Sequence, residues 1–126
     1  MGLLERLFGS KPTVFPTPVR TRADLQELLS FDGPVLVDVW SPSCGPCKKL
    51  DPVMTELATR YDGKARIAEL DVSAAEPALM AGLGVRATPT IVIYDRGEEF
   101  GRVTGYKPPS WFHEMFAAEF PEVNTP

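Results

Sequence analysis

The chain has 126 residues, 44% of them hydrophobic and 24% charged, and a net charge of −4. That length suits one domain with one core, and the composition is ordinary for a globular chain. The acidic excess, with no Lys/Arg stripe interleaved with aromatics, argues against nucleic acid as a partner, and apolar runs of about 4–8 residues fall short of the roughly 20 that cross a bilayer.

Residues 2–8, "GLLERLF", place Leu3, Leu4, Leu7 and Phe8 on one side of a short helix. Glu5 and Arg6 interrupt that run, so no secretory h-region is expected, and position 6 lacks the Ser or Thr of a myristoylation signal. Pro12, Pro16 and Pro18 then forbid helix. They leave an extended connector ending in a short edge strand near Val19. Residues 1–16 are expected to be an N-terminal extension and residues 17–126 the domain. Thr21 caps a helix over "TRADLQELLS", with Asp24 three residues on and Leu25, Leu28 and Leu29 as its apolar face.

"VLVDVW", residues 35–40, is a nearly continuous apolar run, the mark of a strand buried on both faces. After it, Leu50, Val53, Met54, Leu57 and Tyr61 recur at helical spacing, with Pro52 expected to kink the helix and Gly63 past its end. "ARIAELDV", 65–72, reads as a second strand. A short helix follows, with Ser73 as its expected cap and Gly82 or Gly84 near its end. "TPTIVIYD" is a turn and a third strand, "RGEE" a hairpin turn and "FGRVTG" a fourth strand. Pro108 and Pro109 open an amphipathic helix that buries Trp111, Phe112, Met115, Phe116 and Phe120. The order β-α-β-α, then β-β-α, implies parallel strands joined by helices, followed by an antiparallel hairpin backed by a helix.

Both cysteines lie in "SPSCGPCKK", residues 41–49. The only histidine is His113, so the chain offers at most three Cys/His ligands, and a closed structural zinc site wants four. A zinc site completed by carboxylates, or shared between two chains, is the remaining metal reading. Two cysteines this close do not make a secreted disulfide scaffold. His113 lies outside every motif and is expected to be a surface or half-buried helix residue with no catalytic role.

The pair falls where a buried strand gives way to a helix. With Cys44 at the helix N-cap and Cys47 one turn in, the Cα atoms come within roughly 5 Å, which a disulfide accepts. In a strand they would stand about 10 Å apart. A thiolate at a helix N-terminus meets unpaired N–H groups and the positive end of the dipole, so its pKa falls. Pro46 is tolerated in the first turn, Gly45 leaves room for another chain to approach, and Cys47 points inward as the slower thiol. These features favour a reactive redox pair over two free core cysteines acting as small hydrophobes.

"VLVDVWSPSCGPCKKLDPVMTELA" followed by "VRATPTIVIYDRGEEFGRVTGY" resembles the thioredoxin family over roughly residues 17–120. The resemblance implies an α/β thioredoxin fold: a central mixed β-sheet of four to five strands flanked by helices. It also implies thiol–disulfide exchange without a cofactor beyond a Cys44–Cys47 disulfide. Cys44 would attack a partner disulfide and Cys47 would resolve the mixed disulfide. Asp38 matches the family's buried aspartate, which helps to move the proton of Cys47. A carboxyl inside "VLVDVW" is poorly solvated, which raises its pKa toward neutrality. Thr88-Pro89 matches the family's cis-proline turn, where the Thr88 backbone pairs with an extended substrate. Gly105 matches a glycine that keeps the substrate groove open, and Trp40 sits near the same surface. The implied partners are protein disulfides and a separate thioredoxin-reductase-like enzyme, because no GxGxxG follows a strand here. A cytoplasmic monomer is expected.

The chain departs from the family pattern in three places. Ser43 stands where tryptophan commonly precedes the first cysteine, which puts a hydroxyl on the docking surface. Glu69 stands where lysine is common. Pointing inward it would form a coupled carboxylate pair with Asp38; reaching solvent is the expectation, since charged residues are seldom fully buried. The extension is expected to pack on its own domain or stay partly disordered rather than dock on a membrane. Beside a general reductase stand two other readings: a specialised member serving one partner, and a chaperone-like binding module with a secondary redox role.

Overall fold

A computed structural model describes residues 12–125. The helix expected over residues 2–8 lies outside them. In chain order the elements are β1 (Thr17–Pro18), α1 (Arg22–Leu29), β2 (Pro34–Trp40), α2 (Gly45–Arg60), β3 (Arg66–Asp71), α3 (Pro77–Leu83), β4 (Thr90–Asp95), β5 (Glu98–Thr104) and α4 (Pro109–Glu119), then a 3₁₀ turn over Pro121–Asn124. The five strands form one mixed sheet in the order β1-β3-β2-β4-β5. Strands β1 and β2 run parallel to β3, while β4 is antiparallel to β2 and β5 to β4. The expected α/β architecture is therefore present, with the edge strand as the fifth.

Period-two alternation sorts the strand side chains into two cores. Leu36, Ile67, Ile91 and Ile93 meet Leu50, Val53 and Leu57 of α2 and Phe112 and Phe116 of α4. On the other face Val35, Val37, Val39, Ala68 and Val92 meet Leu28 of α1 and Leu79 and Leu83 of α3. Strand β2 is covered on both faces, so its sequence reads as one apolar run rather than an alternating one. Asp38 is in step with Leu36 and so falls on the α2/α4 face, where it is 1% exposed.

Helix α1 begins as expected: the Thr21 hydroxyl accepts the Asp24 N–H at 3.0 Å, and the Asp24 carboxylate accepts the Thr21 N–H at 3.1 Å. Helix α3 does not. Ser73 is not its cap, because the Ser73 N–H and hydroxyl both donate to Asp71 Oδ1, at 2.8 and 2.7 Å. The helix starts later, after Glu76, with Pro77 supplying a preset φ in the first turn. The hairpin turn is also tighter than "RGEE". Arg96 and Gly97 have φ of 51° and 85°, and Glu98 already pairs with Asp95. That is the positive-φ pair of a two-residue hairpin, and it releases both glutamates into β5. Before β1, the Val14 N–H donates to Thr59 Oγ1 at 2.9 Å, and the same hydroxyl donates to the Val14 carbonyl at 3.2 Å. The connector is thereby tied to α2.

Register brings three loops together. Val39 pairs with Thr90, and Thr90 with Thr104. The loops that follow β2, precede β4 and follow β5 therefore leave the same end of the sheet.

Candidate active site

Cys44 is the N-cap of α2, in an extended conformation with φ −100° and ψ 111°. Its Sγ accepts the Cys47 N–H at 3.2 Å, one of the donors that a helix leaves unpaired in its first turn. The two cysteines form a disulfide with a Cα–Cα distance of 5.3 Å, as helical spacing requires. Cys44 is half-buried and Cys47 is 1% exposed, so one sulfur faces the approach and the other faces the domain. Gly45 and Pro46 are exposed, and a Cβ added at Gly45 would meet nothing within 4 Å. The approach to the disulfide is open there.

The second loop carries Thr88-Pro89, whose peptide bond is cis. The Thr90 hydroxyl donates to the Ala87 carbonyl at 2.7 Å and so pins the loop. The Pro89 carbonyl accepts the Gly105 N–H at 2.9 Å. Gly105 has φ 92°, a left-handed conformation that disfavours any other residue. It fastens the third loop to the second. Ser43 is exposed, its hydroxyl 3.3 Å from that of Ser41.

Beneath this surface lies a cavity of about 360 Å³, lined by Asp38, Trp40, Asp51, Met54, Thr55 and Glu69, with Phe15 and Pro16 of the connector. Asp38 Oδ1 is buried there without a hydrogen-bond partner among the described residues. Burial is the main cause that lifts the Asp38 carboxyl to about 7, and the negative charges of Asp51 and then Glu69 add to it. Burial also raises Asp51 above the usual carboxylate range. Glu69 does not simply reach solvent as expected. Asp38 and Glu69 are register partners in parallel strands, so their side chains share one face. The half-buried Trp40 indole N–H donates to the Glu69 carboxylate and holds it at the cavity.

Asp51 was not singled out from the sequence, although a signal existed: it lies four residues beyond Cys47 and so shares its helix face. The packing of Lys49 over the Tyr106 ring, 5.1 Å from its centroid, had no sequence signal.

A protein-family model described as Thioredoxin matches residues 17–117. The chain belongs to the thioredoxin family. It is similar to Thioredoxin 1 of Nostoc sp., 39% identical over 83 residues, which span 66% of this chain and 77% of that one. It is 43% identical over 81 residues to the chloroplastic M-type thioredoxin of Brassica napus, a stretch covering 64% of this chain and 45% of the relative's own length. A solved thioredoxin mutant from Halobacterium salinarum superposes with a TM-score of 0.75 at 30% identity, covering 87% of this chain and 95% of that one. With its paired cysteines at CxxC spacing, this thioredoxin-family chain is a thiol–disulfide oxidoreductase. The family acts on protein disulfides.

Elsewhere in this thioredoxin-family fold, His113 is half-buried on α4, with Nδ1 2.7 Å from the Tyr61 hydroxyl and Nε2 3.9 Å from Glu56. Burial lowers its pKa. Among the described residues no cluster of three or more His, Cys, Asp or Glu side chains is placed to hold a metal ion. Nor is any helix among them long and apolar enough to cross a membrane.

Proposed function

We propose that the chain is a protein-disulfide reductase and electron carrier in which Cys44 is the nucleophile and Cys47 the resolving thiol. The observation that carries this reading is the disulfide at the N-terminus of α2, with Cys44 half-buried and receiving an N–H, and Cys47 buried behind it. In the reduced form the Cys44 thiolate attacks one sulfur of a partner disulfide. A new S–S bond forms as the partner's bond breaks, and the released sulfur leaves as a thiolate that takes up a proton. Cys47 then gives its proton to Asp38 and attacks Cys44 Sγ. The mixed disulfide breaks, and the partner's second sulfur leaves as a thiolate. Two electrons have passed to the partner, and the Cys44–Cys47 disulfide is restored. A carboxyl near 7 is well matched to taking and returning a proton at neutral pH.

The substrate segment lies extended along the Thr88 backbone, framed by Trp40, Ser43, Gly45, Pro46, Pro89 and Gly105. The open space at Gly45 and the left-handed Gly105 support that path. A separate thioredoxin-reductase-like enzyme returns the disulfide to the dithiol, and the protein works as a cytoplasmic monomer without a bound cofactor. Residues 1–16 act as an extension to the domain formed by residues 17–126.

Reduction of insulin by dithiothreitol tests this. Wild type accelerates precipitation, and Cys44→Ser and Cys47→Ser do not. A wild type no faster than either variant overturns the reading and leaves a chaperone-like binding module in which the thiols are incidental. The exposed Ser43 on the docking surface favours a second reading, a member specialised for one partner. Capture of mixed disulfides on Cys47→Ser separates the two: many partners for the general carrier, one for the specialised member.

A further inference from the structure

Charge is shared unevenly over this molecule. The segments framing the disulfide are residues 41–49, 86–89 and 105–107. Their charged residues are Lys48, Lys49, Arg86 and Lys107, all cationic. The rest of the chain holds nine basic residues against 17 acidic ones. An anionic protein thus carries only cations on the three segments that frame its reactive sulfur.

The fold ties these cations to one surface. The Lys48 N–H donates to the Cys44 carbonyl at 3.4 Å, which places Lys48 one turn from the nucleophile. Lys49 packs over Tyr106 and so links the start of α2 to the 105–107 loop. The Gly105 N–H on the Pro89 carbonyl links that loop to residues 86–89. Lys48, Lys49 and Arg86 are exposed and Lys107 is half-buried. The ion pairs among the described residues join Arg96 to Asp32, Arg102 to Glu99 and His113 to Glu56, so none of the four cations is neutralised by one. Acidic groups also approach this end of the sheet, all outside those three segments: Asp38, Asp51 and Glu69 line the cavity beneath, and Asp71 follows on β3. Asp71, register partner of Trp40, accepts from Ser73, and Glu69 accepts from the Trp40 indole.

A partner docking here brings its own charges against the four cations. Acidic side chains are steered in and paired, while basic ones meet like charge as water is excluded. We infer that Lys48, Lys49, Arg86 and Lys107 select substrates whose reactive disulfide is flanked by Asp and Glu, presented in an extended segment. This rests on Cys44 being the nucleophile. It acts on encounter and attack rather than on resolution by Cys47. The reaction is the exchange already described, so pre-reduced protein supplies both electrons.

Three disulfide-bonded peptides of equal length, flanked by Asp/Glu, by Lys/Arg or by Ser, test the inference in single-turnover stopped flow with pre-reduced protein. At low salt the acidic peptide reacts about ten-fold or more faster than the basic one, with the Ser peptide between. The gap narrows in about 1 M NaCl, where the Debye length falls to about 3 Å. In Arg86→Glu/Lys107→Glu, where the two remaining lysines are balanced by two glutamates, the gap between the acidic and basic peptides collapses at low salt. Because the reading is a ratio of two peptides on one variant, a partly unfolded variant does not blur it. Equal rates for the three peptides at low salt, or a faster basic peptide, overturn the selectivity while leaving the nucleophile in place. No reaction with any peptide overturns the role of Cys44 itself, and the selectivity with it.

Discussion

The sulfur of Cys44 and the carboxyl of Asp38 lie close in sequence, and the fold treats them in opposite ways. Cys44 is half-buried at a helix N-terminus, and its Sγ is met by a backbone N–H. Negative charge there is favoured by the local backbone. Asp38 is buried, its Oδ1 has no partner among the described residues, and its charged neighbours in the cavity, Asp51 and Glu69, have its own sign. Negative charge there is opposed by everything the sheet and α2 pack around it. In the proposed mechanism one layer of the site readies a nucleophile, and the other holds a proton until near neutrality. The lesson is that the two halves of the chemistry rest on different levels of structure, capping for one and packing for the other.

The largest effects come from removing one sulfur at a time. Cys44→Ser should lose turnover to the background rate and form no mixed disulfide. Cys47→Ser should also lose turnover but accumulate the mixed disulfide, seen as a mass shift on a non-reducing gel. Equal accumulation in both variants would erase the division of labour between the exposed and buried sulfurs.

Asp38 comes next. Its folded pKa of about 7 lies above its unfolded value of about 3.9. The folded state therefore binds this proton more tightly, and stability from this group is present at low pH and lost as pH rises from about 4 to about 7. Asp38→Asn removes the buried charge but still buries a polar amide, which itself costs about 1–3 kcal/mol. A net gain of about 1–3 kcal/mol is expected at pH 8, at about 1.4 kcal/mol per pKa unit for the charge relieved. It should vanish or reverse near pH 4, as denaturant melts at the two pH values will read. The resolving step should slow by about 10²-fold and lose its rise with pH through 7. A variant no more stable at pH 8 than wild type would mean that the carboxylate is solvated after all.

Glu69→Gln probes the same layer more gently. Burial and Asp51 both outweigh Glu69 in raising Asp38, so the midpoint of the resolving rate should fall by less than about 1 unit. The hydrogen bond from Trp40 is kept, because the Gln amide oxygen still accepts. Glu69→Lys should lower the midpoint further, and an unmoved profile in both variants would remove Glu69 from the proton-handling layer.

How far each layer was legible follows from the same distinction. The capping layer is local. A strand-like run, a CxxC and a helical repeat in succession put Cys44 at an N-cap before any coordinates, and the structure has it there. The five-stranded sheet was nearly as open, because β2 is covered on both faces and shows it as an unbroken apolar run. The packing layer depends on register between strands far apart in sequence. That Glu69 shares a face with Asp38 follows from the pairing of β2 with β3, which no local pattern states. Ser73 failed as a cap for a related reason. Its side chain had a closer acceptor in Asp71, and short polar residues bond to neighbouring groups in competition with helix starts. The cis state of Thr88-Pro89 came from family likeness, since a sequence does not display an isomer.

The smallest predicted effect isolates the outer layer from the inner one. Gly45 opens α2, its φ is not positive, and a methyl group there would touch nothing within 4 Å. Gly45→Ala should therefore leave the fold intact and raise its stability by about 0.4–1 kcal/mol, because alanine has less freedom to lose on folding. On the proposed docking path the same methyl group would project where a partner's backbone approaches Cys44. Attack on insulin should slow, while attack on a small aromatic disulfide, which needs no flanking chain, should keep its rate. The pH midpoint of resolution should not move, because Gly45 does not line the cavity that holds Asp38. A fall in stability, or a midpoint that shifts with the methyl group, would show that the two layers are mechanically coupled through the first turn of α2.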